Sequence, residues 1–358
     1  MSDLQACNPA AGAYGLQYAQ WTDFAVNELK VPRFRAEQMM RGLYRQLISS
    51  WDDLKVLPEA LRATLAERVP LCAMRIAEAH PSEDGTVKLL LECPSDGELV
   101  ETVLIPSKNR MTQCVSSQVG CNFKCAFCAS GRLGKKRDLT AAEIVGEVVA
   151  ACRWLTERNG GEFARPSNIV VMGMGEPFDN YDEVLSALRV LNDQRGLDVG
   201  ARHITLSTCG VVPGIKRLAG EGLQFELSVS LHAPNQRLRR ELMPVSRRWE
   251  LDELIRACAE YTRTTGRLIT FEYTLVRDLN DSPDDARELI SLLRALPCKV
   301  NLIPLSPVEG FAGARPSDRS CLEFLDVLKK GRISVTMRNS RGRDVDAACG
   351  QLRLRRIS

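Results

Sequence analysis

Cys121, Cys125 and Cys128 stand at Cys-x3-Cys-x2-Cys spacing in the string CNFKCAFCAS, three thiols on one loop that opens after Gly120. The triplet is one ligand short of a closed metal site. A cubane iron–sulfur cluster takes one thiolate per iron, so three local cysteines can hold a 4Fe-4S cluster whose fourth iron stays open to a small molecule. Zinc with a fourth ligand from elsewhere is the competing reading. Structural zinc sites usually pair two two-ligand knuckles, and neither a second Cys-x-x-Cys nor a His-x-His occurs in the chain. Phe123 and Phe127, between the thiols, would shield a cluster from water, and Lys124 adds positive charge beside it.

Other residues could join this chemistry. Gly173, Gly175, Glu176 and Pro177 follow an apolar strand-like run at 169–172, so the backbone can turn there without obstructing a ligand and leave Glu176 facing a pocket. Read alone, Glu176 could equally be a solvated loop acid, His232 a structural histidine, Cys349 a buried cysteine and Glu101 an outward-facing strand residue. The basic residues around Cys349 would favour its thiolate.

Six strings, CVSSQVGCNFKCAFC (114–128), VMGMGEPFDN (171–180), TLSTCGVVPGI (205–215), LSVSLHAPN (227–235), VNLIP (300–304) and RGRDVDAACGQL (341–352), occur in that order. Together they resemble the RlmN/Cfr family of radical S-adenosylmethionine (SAM) RNA adenine methyltransferases, from about Arg33 to Gln351, with the last string leaning toward the carbon-2 (RlmN) branch. The resemblance implies a 4Fe-4S cluster on Cys121, Cys125 and Cys128, and SAM contacts from Gly175, Glu176, Ser207, Ser230, Leu231, His232 and Ser306. It implies Cys349 as an S-methylcysteine intermediate, Glu101 as proton acceptor, and Cys114 as the thiol that resolves the adduct through a transient disulfide with Cys349. Ser306 stands where the family usually has Asn, Cys209 where Ser is common, and Ser246 where Asn is common, which marks a divergent member.

The implied reaction answers a polarity problem. Carbons 2 and 8 of adenine are electrophilic and so is the methyl of SAM, which makes direct displacement implausible. By resemblance, one SAM methylates Cys349 and a second is cleaved reductively to a 5′-deoxyadenosyl radical, two SAM per turnover, the kind of chemistry cofactors supply. That radical takes hydrogen from the methylated cysteine, and the methylene carbon adds to the adenine. The expected substrate is an adenosine of 23S rRNA, with tRNA as a second candidate. An unstacked, looped or extruded base is required. The expected partners are an electron donor such as flavodoxin or ferredoxin and a thiol reductant, and the expected state is a monomer. Two rivals remain: a Cfr-like enzyme acting at carbon 8, or a divergent one on another RNA; and a non-catalytic Fe-S RNA-binding or redox-sensing protein, which would need neither the SAM-side motifs nor a second thiol pair.

The 358 residues, 44% hydrophobic, can bury one large core and a small one beside it. No apolar run reaches the eighteen or so residues of a membrane span, and MSDLQACNPAAG lacks signal-peptide character, so the expected location is cytoplasmic. In a reducing compartment thirteen cysteines read as small buried residues, ligands or redox groups rather than disulfides. Residues 1–100 carry ten Lys/Arg against fourteen Asp/Glu, and the other 258 carry 38 against 31. The basic excess concentrates in 332–358, where Arg332, Arg338, Arg341, Arg343, Arg353, Arg355 and Arg356 face only Asp344 and Asp346, a pattern suited to phosphate contact or to a solvated tail.

Periodicity supplies the elements that must position these groups. Helical patterns at 21–30, 34–47 and 57–68 predict a small accessory domain over 1–80, and two strand patterns joined across Pro94-Ser95-Asp96-Gly97 predict a β-hairpin extension over 81–106. From 107 to 340, strand runs at 169–174, 203–207, 226–231, 269–275 and 299–303 alternate with helical ones at 140–157, 181–194, 250–265, 283–296 and 319–330. That alternation predicts an α/β fold, a partial (β/α)6 barrel with its chemistry at the C-terminal strand ends. Residues 341–358 form a C-terminal loop with Cys349 and a basic tail.

Overall fold

The computed structural model describes residues 12–338 and 341–352, so Arg353, Arg355 and Arg356 of the expected basic tail lie outside the described residues. The described residues begin with a 3-10 turn at Ala13–Gly15 and α1 (Tyr18–Asp23), which runs into a π-helical turn at Phe24–Glu28, then α2 (Phe34–Tyr44) and α3 (Glu59–Arg68). Their apolar faces close on Trp21, Phe24, Met39, Leu43 and Tyr44, all inaccessible to solvent.

The main sheet has ten strands. β1 (Arg75–Pro81), β2 (Val87–Glu92), β3 (Leu99–Ser107) and β4 (Arg110–Val115) are antiparallel neighbours. The short strands β5 (Gln118–Val119) and β6 (Arg137–Asp138) pair separately around α4 (Ser130–Leu133). β4 is then joined in parallel by β7 (Asn168–Val171), β8 (Ile204–Thr208), β9 (Glu226–Ser230), β10 (Ile269–Leu275), β11 (Cys298–Pro304) and β12 (Ser334–Met337). The crossovers are made by α5 (Ala141–Arg158), α6 (Tyr181–Asn192), α7 (Val212–Gly220), α8 (Gln236–Leu242) with α9 (Leu251–Thr265), α10 (Pro283–Leu293) and α11 (Asp318–Lys330). Six βα units followed by a final strand make the expected partial barrel.

Two helix starts are built as their residue types dictate. Thr140 Oγ1 accepts the Glu143 N–H at 3.2 Å while the Glu143 carboxylate accepts the Thr140 N–H at 3.0 Å, a reciprocal cap on α5. Ser282 Oγ accepts the Asp285 N–H at 3.1 Å, with Pro283 in the first turn of α10. Strands β1, β4 and β12 and helix α8 carry weak periodic signals. β4 reads RMTQCV, and its buried Gln113 is accommodated by donating to Thr102 Oγ1 at 2.9 Å and to the Glu147 carbonyl at 3.0 Å. The N-terminal helical segment is docked on α5, where Arg153 donates to Tyr14 Oη at 3.0 Å. Among the described residues, no helix is long and apolar enough to cross a membrane.

Candidate active site

The three-cysteine loop lies between β5 and α4, beyond the C-terminal end of β4. Gly120 enters it at φ +80°, and a Cβ there would fall 1.7 Å from the Gly134 carbonyl oxygen, so only glycine fits. The loop is pinned from two sides: the Ala126 N–H donates to the Leu242 carbonyl at 2.9 Å and the Ala129 N–H to the Gly350 carbonyl at 2.7 Å. Cys121, Cys125 and Cys128 line one wall of a chamber of ≈ 970 Å³, counting its open mouth. Three thiols lining one open space suit a polynuclear cluster that meets a bound molecule. Burial pushes the Cys121 thiol up to about 12 and Cys125 well above its ordinary value.

The opposite walls come from the ends of β7 to β11. Gly175, Glu176, Ser207, Ser230, His232 and Ser306 all line this chamber. Gly175 sits at φ +102°, and a Cβ would lie 2.6 Å from Ser117 Oγ. Glu176 is buried with both oxygens engaged: Oε2 accepts the Cys209 N–H at 2.7 Å and Oε1 the Phe178 N–H at 3.1 Å. Burial raises its pKa and these hydrogen bonds pull it back only in part. His232 takes φ +57°, its Nδ1 accepts the Thr274 N–H at 2.9 Å, and Phe127 of the cysteine loop meets its ring edge-on at 4.7 Å. Burial, with Arg239 nearby, drops His232 to about 3. The ring is therefore neutral at physiological pH, with Nδ1 as acceptor and Nε2 carrying the proton. Leu231 is fully buried behind this wall, its N–H donating to the Glu272 carbonyl at 2.9 Å.

A second chamber of ≈ 670 Å³ opens beside the first, walled mainly by Val103, Ile105, Val170, Met172, Ile303 and Leu352. Cys349 lines both chambers and Cys114 lines the second. Burial, and then the nearby Cys349 sulfur, pushes the Cys114 thiol far above its ordinary value. Glu101 lies outside both walls, fully buried on β3, with its Oε1 3.1 Å from Lys88 Nζ. It shares a strand face with Val103, which stands opposite Cys114 in the register and does line the second chamber.

Several contributors were not visible in the sequence. Arg338 belongs by sequence to the basic stretch 332–358, yet it lines both chambers together with Cys349, near Cys114 and Glu272; its guanidinium is held above the usual value chiefly by Cys349. Glu272, on β10, accepts from Asn301 Nδ2 at 2.8 Å and faces the first chamber. Arg239, fully buried, donates to the carbonyls of Ser230, Leu231 and Cys209 at 2.9, 2.7 and 2.7 Å and so ties the ends of β8 and β9 together. Its only sequence signal was position, four residues after the helix-capping Asn235.

Residues 115–292 match the Radical SAM superfamily model. The chain is 46% identical over 332 residues to the probable dual-specificity RNA methyltransferase RlmN of Akkermansia muciniphila, covering 90% of each protein. The likewise named protein of Enterococcus faecalis is 43% identical, covering 96% of each. This chain belongs to the RlmN/Cfr family of radical SAM methyltransferases. Among solved structures, a radical SAM methyltransferase from Sphaerobacter thermophilus superposes with a TM-score of 0.91 at 46% identity, over 96% of this chain and 99% of that one. As a radical SAM protein, this family member binds a 4Fe-4S cluster and SAM, and the three-thiol wall is chemically suited to the former. Its departures from the family pattern are physically mild. Cys209 contributes its backbone N–H to Glu176, a bond any residue could make. Ser246 is buried, donating to the Met243 carbonyl at 2.9 Å outside both chambers, whereas Ser306 does line the first.

Proposed function

We propose that this protein methylates carbon 2 of an adenosine in 23S rRNA, with tRNA as a second substrate, through a methyl group carried on Cys349. The observation that supports it most is that Cys349 borders both the chamber walled by Cys121, Cys125 and Cys128 and the apolar chamber that holds Cys114. The relatives' names as probable dual-specificity RNA methyltransferases agree with an RNA target.

Held by Cys121, Cys125 and Cys128, a reduced cluster with SAM at its open iron would supply the radical chemistry needed to take hydrogen from an unactivated methyl group, with a flavodoxin or ferredoxin as electron source. Gly175, Glu176, Ser207, Ser230, Leu231, His232 and Ser306 bind and orient SAM, and one SAM is spent on Cys349 and one on the radical step. The neutral His232 offers a hydrogen-bond donor there and no charge. The second chamber, mostly apolar, excludes water and accepts a flat base turned out of its strand. Cys349 delivers the carbon to the ring and Glu101 takes the ring proton, while the oxidised cluster would accept the one electron whose loss leaves the adduct closed-shell. Cys114 then attacks the Cys349 sulfur: the S–S bond forms as the C–S bond breaks, and the electron pair stays on the departing carbon, which is protonated to a methyl group. An external thiol restores the two cysteines.

Nucleoside analysis of rRNA and tRNA from cells lacking the gene tests the reading. Loss of 2-methyladenosine, regained on complementation, is the expected result. Loss of 8-methyladenosine would move the protein to the carbon-8 reading, and no change in either would overturn an RNA adenine methylation role.

A further inference from the structure

A third opening lies on the surface where β3 turns into β4. It is a groove of ≈ 910 Å³ counting open solvent, whose walls carry Lys108, Arg110, Arg165 and Arg341. Among the described residues none of the four makes an ion pair. Arg165 donates to the Pro166 and Asp198 carbonyls at 3.1 and 3.0 Å, and Arg341 reaches the Asp84 carbonyl at 3.5 Å. Carbonyls hold a guanidinium in place and leave its charge intact. The single acid in the groove, Asp84, has its carboxylate turned into its own turn, where it accepts the N–H groups of Thr86 at 2.9 Å and Gly342 at 3.0 Å. Four cations thus face one carboxylate that is already satisfied.

The groove is continuous with the chemistry. Arg341 lines both it and the second chamber, and successive residues of β3 divide between them, Ile105 to the chamber and Pro106 with Ser107 to the groove. No groove residue lines the chamber walled by the cluster cysteines. We propose that this groove holds the RNA sugar-phosphate backbone next to the target adenosine, with Lys108, Arg110 and Arg165 on the phosphates and Arg341 at the threshold where the base leaves the strand. The inference rests on the RNA reading above. A base turned into an apolar chamber leaves its flanking phosphates outside, and a run of cations without acidic partners at the chamber's edge is the complement they require. An acidic protein such as the electron donor is the other polyanion to consider. Its delivery point is the cluster, whose cysteines line the first chamber, where no groove residue reaches.

The test uses the full-length, cluster-reconstituted protein and a labelled RNA stem-loop with one unpaired adenosine, titrated at several salt concentrations. The variant Lys108→Ala/Arg110→Ala/Arg165→Ala is compared with Arg256→Ala/Lys329→Ala/Lys330→Ala, which removes equal charge from exposed positions outside the groove; iron content and melting temperature verify folding. The groove variant should bind roughly tenfold or more weakly at about 0.1 M salt, with a slope of log affinity against log salt shallower by about 2, given ~0.7 per single-strand phosphate contact. The same loss should appear with an abasic loop, because the groove reads backbone. Parental affinity and slope in the groove variant, equal losses in both variants, or a loss confined to reduction by the electron donor would overturn it. If the wild-type protein neither binds nor methylates RNA, it is the functional reading that fails; if it does both and the groove variant binds as well, only the groove assignment fails.

Discussion

The Asp84 carboxylate accepts the Gly342 backbone N–H at 3.0 Å, joining the turn between the first two strands to the loop that carries Cys349. Ser82 and the Glu83 N–H add hydrogen bonds to the Asp344 carboxylate, so two carboxylates from partners far apart in sequence clasp one another's backbone. At its other end the same loop is fastened to the cysteine loop through Gly350, whose carbonyl accepts the Ala129 N–H, and through Leu352, whose carbonyl accepts from Ser130 Oγ at 2.8 Å. Gly350 itself sits at φ +82° with no room for a Cβ against the Phe127 carbonyl. Cys349 is exposed in its own right, and these anchors are what aim it.

Asp84→Ala should loosen that clasp. Partial burial opposes the charged form, but the Thr86, Gly342 and Ser82 hydrogen bonds outweigh it and hold Asp84 at about 2, below the ordinary value of 3.8. A depressed carboxylate stabilises the fold above the unfolded value and loses that contribution as pH falls through the folded one. The wild-type melting temperature should therefore exceed that of Asp84→Ala near neutrality, and the gap should close between about pH 4 and pH 2. A gap that persists unchanged at pH 2 would refute the charge argument.

Lys88 and Glu101 form an ion pair with side chains 1% and 0% exposed. Removing one partner from a buried pair leaves a charge without compensation, at a cost of about 3–5 kcal/mol, whereas replacing both with apolar residues is far milder. Lys88→Met should therefore be strongly destabilised in urea titrations, and Lys88→Met/Glu101→Leu should recover much of the loss. Equal destabilisation of the single and double variants would count against the pair.

His232 should not titrate in the physiological range. Its folded pKa of about 3 lies below the unfolded value of 6.5, so the unfolded chain takes up a proton the folded one refuses. Stability linked to His232 is thus complete above about pH 6.5 and declines as the pH is lowered from there toward 3. Its ring nitrogen NMR shifts should stay those of a neutral imidazole from pH 8 down to 5; a midpoint inside that window would contradict the burial argument.

Gly175→Ala places a methyl group 2.6–2.7 Å from Ser117 Oγ and Gln118 Cβ at a backbone angle that L-residues avoid. A strained position of this kind costs on the order of 1–3 kcal/mol. Because Gly175 also walls the first chamber, SAM affinity by calorimetry should fall together with melting temperature. Unchanged values for both would show that the turn relaxes.

The two thiols should separate by phenotype. Cys349→Ala should retain the iron of the reconstituted protein while forming no methylated RNA, and Cys114→Ala should accumulate a covalent protein–RNA species on denaturing gels. Iron loss in the first, or no adduct in the second under turnover, would remove the roles proposed for them.

Much of this was legible in the linear chain because the signals are local. Thr140-x-x-Glu143 and Ser282-Pro283 cap helices through bonds three residues long, and the apolar run 169–172 forms a strand end that buries Ile169 and Val171 and leaves Val170 and Met172 half-buried. The Cys121, Cys125 and Cys128 spacing likewise puts three thiols on one loop by itself. Strand β12 and helix α8 left little trace, since a four-residue edge strand and an arginine-rich turn of helix owe their form to what they pack against.

Contacts between distant parts of the chain were decided only in three dimensions. Nothing near Lys88 announces that it will be buried against Glu101, nothing near Arg239 that it will bind three carbonyls at two strand ends, and nothing near Arg338 that it will stand near Cys114 and Cys349 instead of facing solvent. Spacing along a chain constrains neighbours within a turn or two, which is why residue types and elements could be read from it. Which charges lose their water is settled by the closure of the barrel and the docking of the C-terminal loop, and that depends on every element at once.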